Sequence, residues 1–289
     1  MTQTQSATAG RETNRRRILV GVDDSPEARA AAAYAADVAA HVTGSELLLA
    51  HAYETWPEGT NDPAVDQLRA RTHDEAAELV EKIAEELRET SRVPITTVIS
   101  TERPGPMLGR LAQESRMVVV GQDTAGLLDR LAFGSVAAHL AATAPCPVAV
   151  VPAPWHRKQF GFHPVVVAVS GEGMSPATLA AAFDEAEHTG TEVLALHAMP
   201  YFASAEEAER HQRDLTEIVT AAQRHHPGIN VQTMLVRGAP DEHLVKQSVN
   251  ACAAFVGRPE RTGLTSWLRS VAHAVVKRTH CPLIVVPAG

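Results

Sequence analysis

Short runs of branched apolar residues punctuate the chain at a nearly regular interval: ILVGV from Ile18, SELLLAHA from Ser45, VPITTVIS from Val93, MVVVG from Met117 and PCPVAVVP from Pro145. Between them lie longer polar-apolar stretches, among them an alanine-rich segment after Pro26 and a charged amphipathic segment from Asp62 to Thr90. Continuous Val/Ile/Leu runs predict strands covered on both faces, and the segments between them predict crossover helices. That order is the order of a parallel α/β sheet.

The whole order then returns. ILVGVDDSPEARAAAAYAADVAAHVTGSELLLAHAY from Ile18 is paralleled by VVVAVSGEGMSPATLAAAFDEAEHTGTEVLALHAMP from Val165. Ser25 and Ser175 suit helix N-caps, Pro26 and Pro176 the first helical position, and Gly44 and Gly190 the C-terminal stop. TEVLALHA, INVQTMLV, AAFVG and HCPLIVVP complete the strands of the second unit, with helices over Ala205 to His225 and in PDEHLVKQSVNA. The repeat predicts a disordered tail over 1–17 and two doubly wound five-stranded parallel-sheet domains, 18–156 and 157–289. PAPWHRKQFGFHP, Pro152 to Pro164, reads as a surface linker carrying Trp155 and Phe160.

Composition narrows the partners. A chain of 289 residues is long enough for two cores. Its 45% hydrophobic and 21% charged residues are the usage of a soluble globular protein. A formal net charge of -8 argues against nucleic acid, whose phosphates are gripped by clustered Lys and Arg. No run reaches the ~18 apolar residues of a membrane span. The polar N-terminus, with Arg15 to Arg17 read as a solvated tail, has no signal-like apolar region, so a cytoplasmic protein is expected. Cys146, Cys252 and Cys281 are too few and too scattered for a disulfide framework or a C-x-x-C metal site. Cys146 and Cys281 match across the repeat and read as packed thiols, with no cation in the nearby sequence to activate them.

In open α/β sheets ligands bind beyond the carboxyl ends of the strands, where the strand order reverses. The turns after the first and fourth strands, DDSPE and GQDTAG, are therefore the candidate ligand loops. Gly121 permits a sharp turn after a buried strand, and Gly134-Ser135 at a helix start offers N–H groups to an anion. The spacing is not that of a Walker loop. His51 and His197 stand at matching strand ends and read as hydrogen-bonded structural residues. His225-His226 lacks the i, i+4 spacing of a helical metal pair and has no carboxylate neighbours in sequence, so it reads as a solvated helix end. SGEGMS, Ser170 to Ser175, reads as a polar turn. Neither a Gly-x-Ser-x-Gly elbow nor HExxH occurs, so no catalytic residue and no metal ligand is assigned.

The pattern as a whole, through VGVDDSPEA, GQDTAGLLDRLAFGSVA and APCPVAVVP, resembles the universal stress protein family in its tandem-domain actinobacterial form. The resemblance implies an adenine nucleotide hydrolase-like fold with the two domains packed as a pseudo-dimer through their final strands, CPVAVVP and CPLIVVP. It implies ATP, alone or with Mg²⁺, held by Gly121, Gly134, Ser135 and the Val136 amide at phosphate and ribose, by Asp23 at the adenosine moiety and by Ala52 at the adenine ring. The family spacing is kept, but Thr124 stands where the second glycine belongs, and its Cβ disfavours positive φ. The second half departs further: Ser170 replaces Asp23, while Glu260 and Arg269 stand at glycine positions. The expectation is a non-enzymatic stress-response regulator that binds nucleotide in its first domain, with slow incidental hydrolysis at most. It would act on an unknown protein partner and as a homodimer. The rival expectation is a nucleotide-free scaffold of the same fold.

Overall fold

The computed structural model describes residues 16–55, 62–122, 136–156, 163–169, 176–258 and 271–288. Thr124, Phe160, Glu260, Arg269 and the segments 131–135 and 170–175 lie outside them.

The first half runs β1 (Arg17–Gly21), α1 (Pro26–Ala40), β2 (Glu46–Ala52), α2 (Pro63–Thr90), β3 (Ile95–Ser100), α3 (Pro104–Leu111), β4 (Met117–Gly121), α4 (Val136–Thr143) and β5 (Val148–Val151). The second half repeats it as β6 (Val165–Val169), α5 (Pro176–Thr189), β7 (Val193–Met199), α6 (Ala205–Gln223), β8 (Val231–Arg237), α7 (Pro240–Ser248), β9 (Ala253–Gly257), α8 (Val271–Val275) and β10 (Leu283–Val286). All ten strands lie in one sheet, in the order β3-β2-β1-β4-β5-β10-β9-β6-β7-β8. Pairing is parallel except at the centre, where β5 meets β10 antiparallel with Ala149 opposite Ile284. The final strands thus close the pseudo-dimer as the resemblance implies, and each would otherwise leave a row of unpaired backbone groups.

Strand alternation divides the core into two layers. Ile18 and Val20 of β1 face one side with α1, α2, α5 and α6, while Leu19 faces the other with α3, α4, α7 and α8. Both layers contain residues of both halves. At the seam all four residues of β5 and all four of β10 are buried.

Local signals explain the helix starts. Ser25 accepts a hydrogen bond from the Ala28 N–H and Pro26 follows it into α1, as expected of an N-cap with proline behind it. Ser204 and Glu207 close a reciprocal capping box at α6. Gly190, at φ +68°, follows α5 directly and stops it.

Three expectations are corrected. Helix α1 ends at Ala40 with His41 as its cap, so Gly44, at φ +75°, turns the chain into β2 rather than stopping the helix. Arg17 belongs to β1, not to the tail, and its guanidinium pairs with Glu46 at 2.8 Å. Trp155 is core and not surface linker: it is 8% exposed and packs edge-on against Tyr34 at 5.2 Å. A large aromatic side chain in a proline-rich stretch found apolar surface to cover.

Candidate functional site

Successive strands β1, β2 and β3 build outward in one direction, and β4 then joins the opposite side of β1. That reversal leaves a crevice above the carboxyl ends of β1, β2 and β4, and a cavity of about 420 Å³ occupies it. The volume is within the range of small-ligand sites. Of the residues assigned from sequence, Asp23, Ala52, Gly121 and Val136 all line this one cavity. Gly134, Ser135 and Thr124 lie outside the described residues.

Asp23 is exposed at the mouth, and its Oδ1 accepts hydrogen bonds from the Ser25 N–H and the Ser25 hydroxyl. The same serine caps α1, so the cap fixes the carboxylate against the start of the helix. Its neighbour Asp24 is committed elsewhere, to Arg29 at 2.8 Å. The hydrogen bond and charge of that guanidinium hold the Asp24 carboxyl below its ordinary pKa. Asp23 and Glu27 are the acidic residues that line the cavity, Asp23 the more exposed.

Gly121 is required by packing. A Cβ there would lie 2.7 Å from the Glu27 carbonyl carbon and 2.9 Å from its oxygen, so the end of β4 abuts the first turn of α1 directly. Only glycine allows that approach. The floor is apolar: Val22, Ala28, Met107, Leu108 and Val120 are all at most 6% exposed. Val136 and Ala137, in the first turn of α4, form the wall at the end of the crevice, where a helix start favours negative charge. The cavity thus combines an apolar floor, an acidic mouth and a helix start at one wall.

His51 lines the cavity and is anchored from behind, its Nδ1–H donating to the Val22 carbonyl at 2.8 Å. His197 does the same with Val169 at 2.6 Å, so the matched histidines serve as structural hydrogen-bond donors. His197 Nε2 additionally contacts His211 Nδ1 at 2.8 Å. Gln122 after β4 belongs to the candidate loop GQDTAG, whereas Pro104, Met107 and Leu108 of α3 were missed by the sequence reading. The start of α3 directly after a strand was their only sequence signal.

Elsewhere, His226 is corrected from a solvated helix end to a half-buried ring. It stacks on Phe183 at 5.3 Å and lies 3.1 Å from a Glu187 carboxylate oxygen and 3.8 Å from one of Asp184. Cys146, Cys252 and Cys281 are buried free thiols, pushed up by burial to pKa values of about 11, 11 and 12. A cation does act on Cys146, the Arg258 guanidinium from the other half, but the cost of burying a thiolate outweighs it. No described helix is long and apolar enough to cross a membrane.

Comparison with known proteins agrees with this architecture. A model of the universal stress protein family matches residues 14–152 and again 161–287. A universal stress protein of Mycobacterium tuberculosis is 32% identical, the match covering 93% of this chain and 96% of the relative. One from Mycolicibacterium smegmatis is 30% identical, over 93% and 96%. The crystal structure of a universal stress protein from Archaeoglobus fulgidus superposes with a TM-score of 0.70 at 17% identity, covering 95% of this chain and 99% of that one.

Proposed function

The chain belongs to the universal stress protein family, and we propose that it is a cytoplasmic, non-enzymatic stress-response regulator that binds ATP in its first half. The observation that carries this reading is the convergence of Asp23, Ala52, Gly121 and Val136 on a single cavity at the reversal of strand order. An apolar floor, the exposed Asp23 carboxylate and a helix start at the far wall match base, sugar and phosphate in turn. The restriction to the first half rests on sequence: Ser170, Glu260 and Arg269 replace the residues that the first half uses.

Gln122 links this site to the seam between the halves. It lines the nucleotide cavity and also a wider concavity of about 680 Å³ at the seam, rimmed by Lys277, Arg278 and His280. Occupancy of the crevice therefore has a side chain through which to alter the seam. A homodimeric state and a protein partner belong to the same reading.

The test is a calorimetric titration of the nucleotide-stripped full chain with ATP and Mg²⁺. One site per chain at micromolar affinity, about -8 kcal/mol, is expected. Asp23→Ala, at an exposed position, should weaken it about tenfold, or ~1.4 kcal/mol, without loss of fold. The specific observation on the other side is Thr124 in place of a glycine. Absence of binding would overturn the nucleotide reading and leave a scaffold that works through its surfaces.

A further inference from the structure

The C-terminal ends of α1 and α5 meet across the boundary between the halves, and they bring together Asp37, His41 and His188. One ligand atom from each lies within 4.8 Å of the other two. We propose that this cluster is a metal site, taking a first-row divalent cation of the zinc class and bridging the two halves of the chain.

Four observations carry the assignment. Asp37 and His41 are one helical turn apart on α1 and its cap, the i, i+4 spacing that places two ligands on one face. His188 comes from the other half, in the last turn of α5, with its Nε2 buried. His41 Nδ1 is 2.7 Å from the Asp37 carbonyl, which can only accept, so the Nδ1 proton is fixed and the lone pair is placed on Nε2. That back-bond is the support a metal-ligating imidazole ordinarily has. Finally, both helices point their negative dipole ends at the cluster, which favours a cation there.

Two imidazoles and one carboxylate form a set suited to Zn²⁺, Co²⁺ or Ni²⁺ and poorly suited to Mg²⁺ or Ca²⁺, which prefer all-oxygen cages. Tetrahedral zinc with ligands at about 2.0–2.1 Å holds its ligand atoms about 3.3 Å apart, so the cluster must draw in by an ångström or so. The rings of His41 and His188 stand edge-on with centroids 3.7 Å apart. The His41 ring stays on its back-bond, and the Asp37 and His188 side chains supply the adjustment. The exposure of His41 leaves the remaining coordination position to water.

A second cluster, Asp184, Glu187 and His226, lies on another face of α5. It offers one nitrogen against two exposed carboxylates, and both nitrogens of His226 already face them as in an ion pair. It is the weaker candidate for a metal of this class.

The experiment uses the full, tag-free chain stripped with chelator and titrated with Zn²⁺ against a chromophoric competitor, with Co²⁺ absorption as the second probe. The expected result is one ion per chain at micromolar affinity or tighter, reduced at least tenfold by His41→Gln and by His188→Gln. Zn²⁺ should raise the melting temperature of the wild type and not that of His41→Gln. His41 is exposed, so its replacement leaves folding intact and keeps the test decisive if His188→Gln misfolds. Unchanged binding in His41→Gln, a loss confined to His226→Gln, or no binding tighter than millimolar would each overturn the proposal.

Discussion

Gln122 and Arg258 occupy equivalent positions, one residue beyond Gly121 and Gly257, and each reaches across the seam to the far end of the other half's loop helix. Gln122 Nε2 donates to the Val276 and Thr279 carbonyls after α8, at 3.3 and 3.1 Å. Arg258 Nη1 donates to the Ala144 carbonyl after α4, at 2.6 Å. The backbone N–H of each donates to the last residue of its own final strand, Val151 and Val286, at 2.8 and 2.7 Å. The two halves are therefore latched reciprocally, from the ends of β4 and β9.

Gln122→Leu keeps the bulk but leaves two carbonyl acceptors at the seam without their donor. Buried groups stranded in this way cost about 1–3 kcal/mol. A urea denaturation midpoint lowered by that equivalent is expected. An unchanged midpoint would show that the latch contributes nothing to holding the halves together.

Two glycines of the first half should respond with opposite signs. Gly121→Ala puts a methyl within 2.7 Å of the Glu27 backbone, where neither element can yield cheaply. About 1–3 kcal/mol of destabilisation is expected, as for overpacking in general. Gly109 sits inside α3 with nothing within 4 Å of an added Cβ. Gly109→Ala should gain up to ~1 kcal/mol from helix propensity. Thermal melts of the two variants read both signs against one reference.

Those contrasts show where the sequence was informative. Strands were legible because runs such as MVVVG and VLALHA need burial on both faces, and helix starts because Ser-Pro is a local signal. The seam followed from the family resemblance, which implies pairing through the final strands CPVAVVP and CPLIVVP. Trp155 was misread because proline and polar neighbours describe the local chain and not the surface of Tyr34 against which it packs. The site was half legible: Asp23 and Gly121 stand at strand ends, whereas Met107 and Leu108 enter through the packing of α3. Asp37 and His188 are separated by more than half the chain, and only the antiparallel joining of β5 and β10 makes them neighbours.

Thr178 marks a defect in the second half. Its hydroxyl is fully buried, has no hydrogen-bond partner among the described residues and lies 3.1 Å from where a Cβ of Gly257 would be. The equivalent residue of the first half is Ala28. Removing a buried, unsatisfied hydroxyl relieves its desolvation cost, so Thr178→Val is expected to stabilise by about 1 kcal/mol. A fall in melting temperature would indicate instead that the hydroxyl is used, as by a ligand in the second crevice.

Alkaline stability should follow the thiols. Unfolded cysteines ionise near the ordinary value of about 8.5–9, whereas burial holds Cys146 and Cys252 protonated to about pH 11 and Cys281 to about pH 12. Between these limits the native chain carries more protons than the unfolded chain, so stability falls as pH rises. The contribution is complete below about pH 8 and is lost progressively from pH 9 toward 11. Urea midpoints at pH 8 and pH 10.5 measure the fall, and Cys146→Ala combined with Cys252→Ala should flatten it at the cost of a lower midpoint at pH 8. The same burial predicts that a thiol reagent at pH 8 labels the folded chain at the rate of its opening and the urea-unfolded chain at once. Rapid labelling of the folded chain would mean that one of these sulfurs is open to solvent and the assigned packing is wrong.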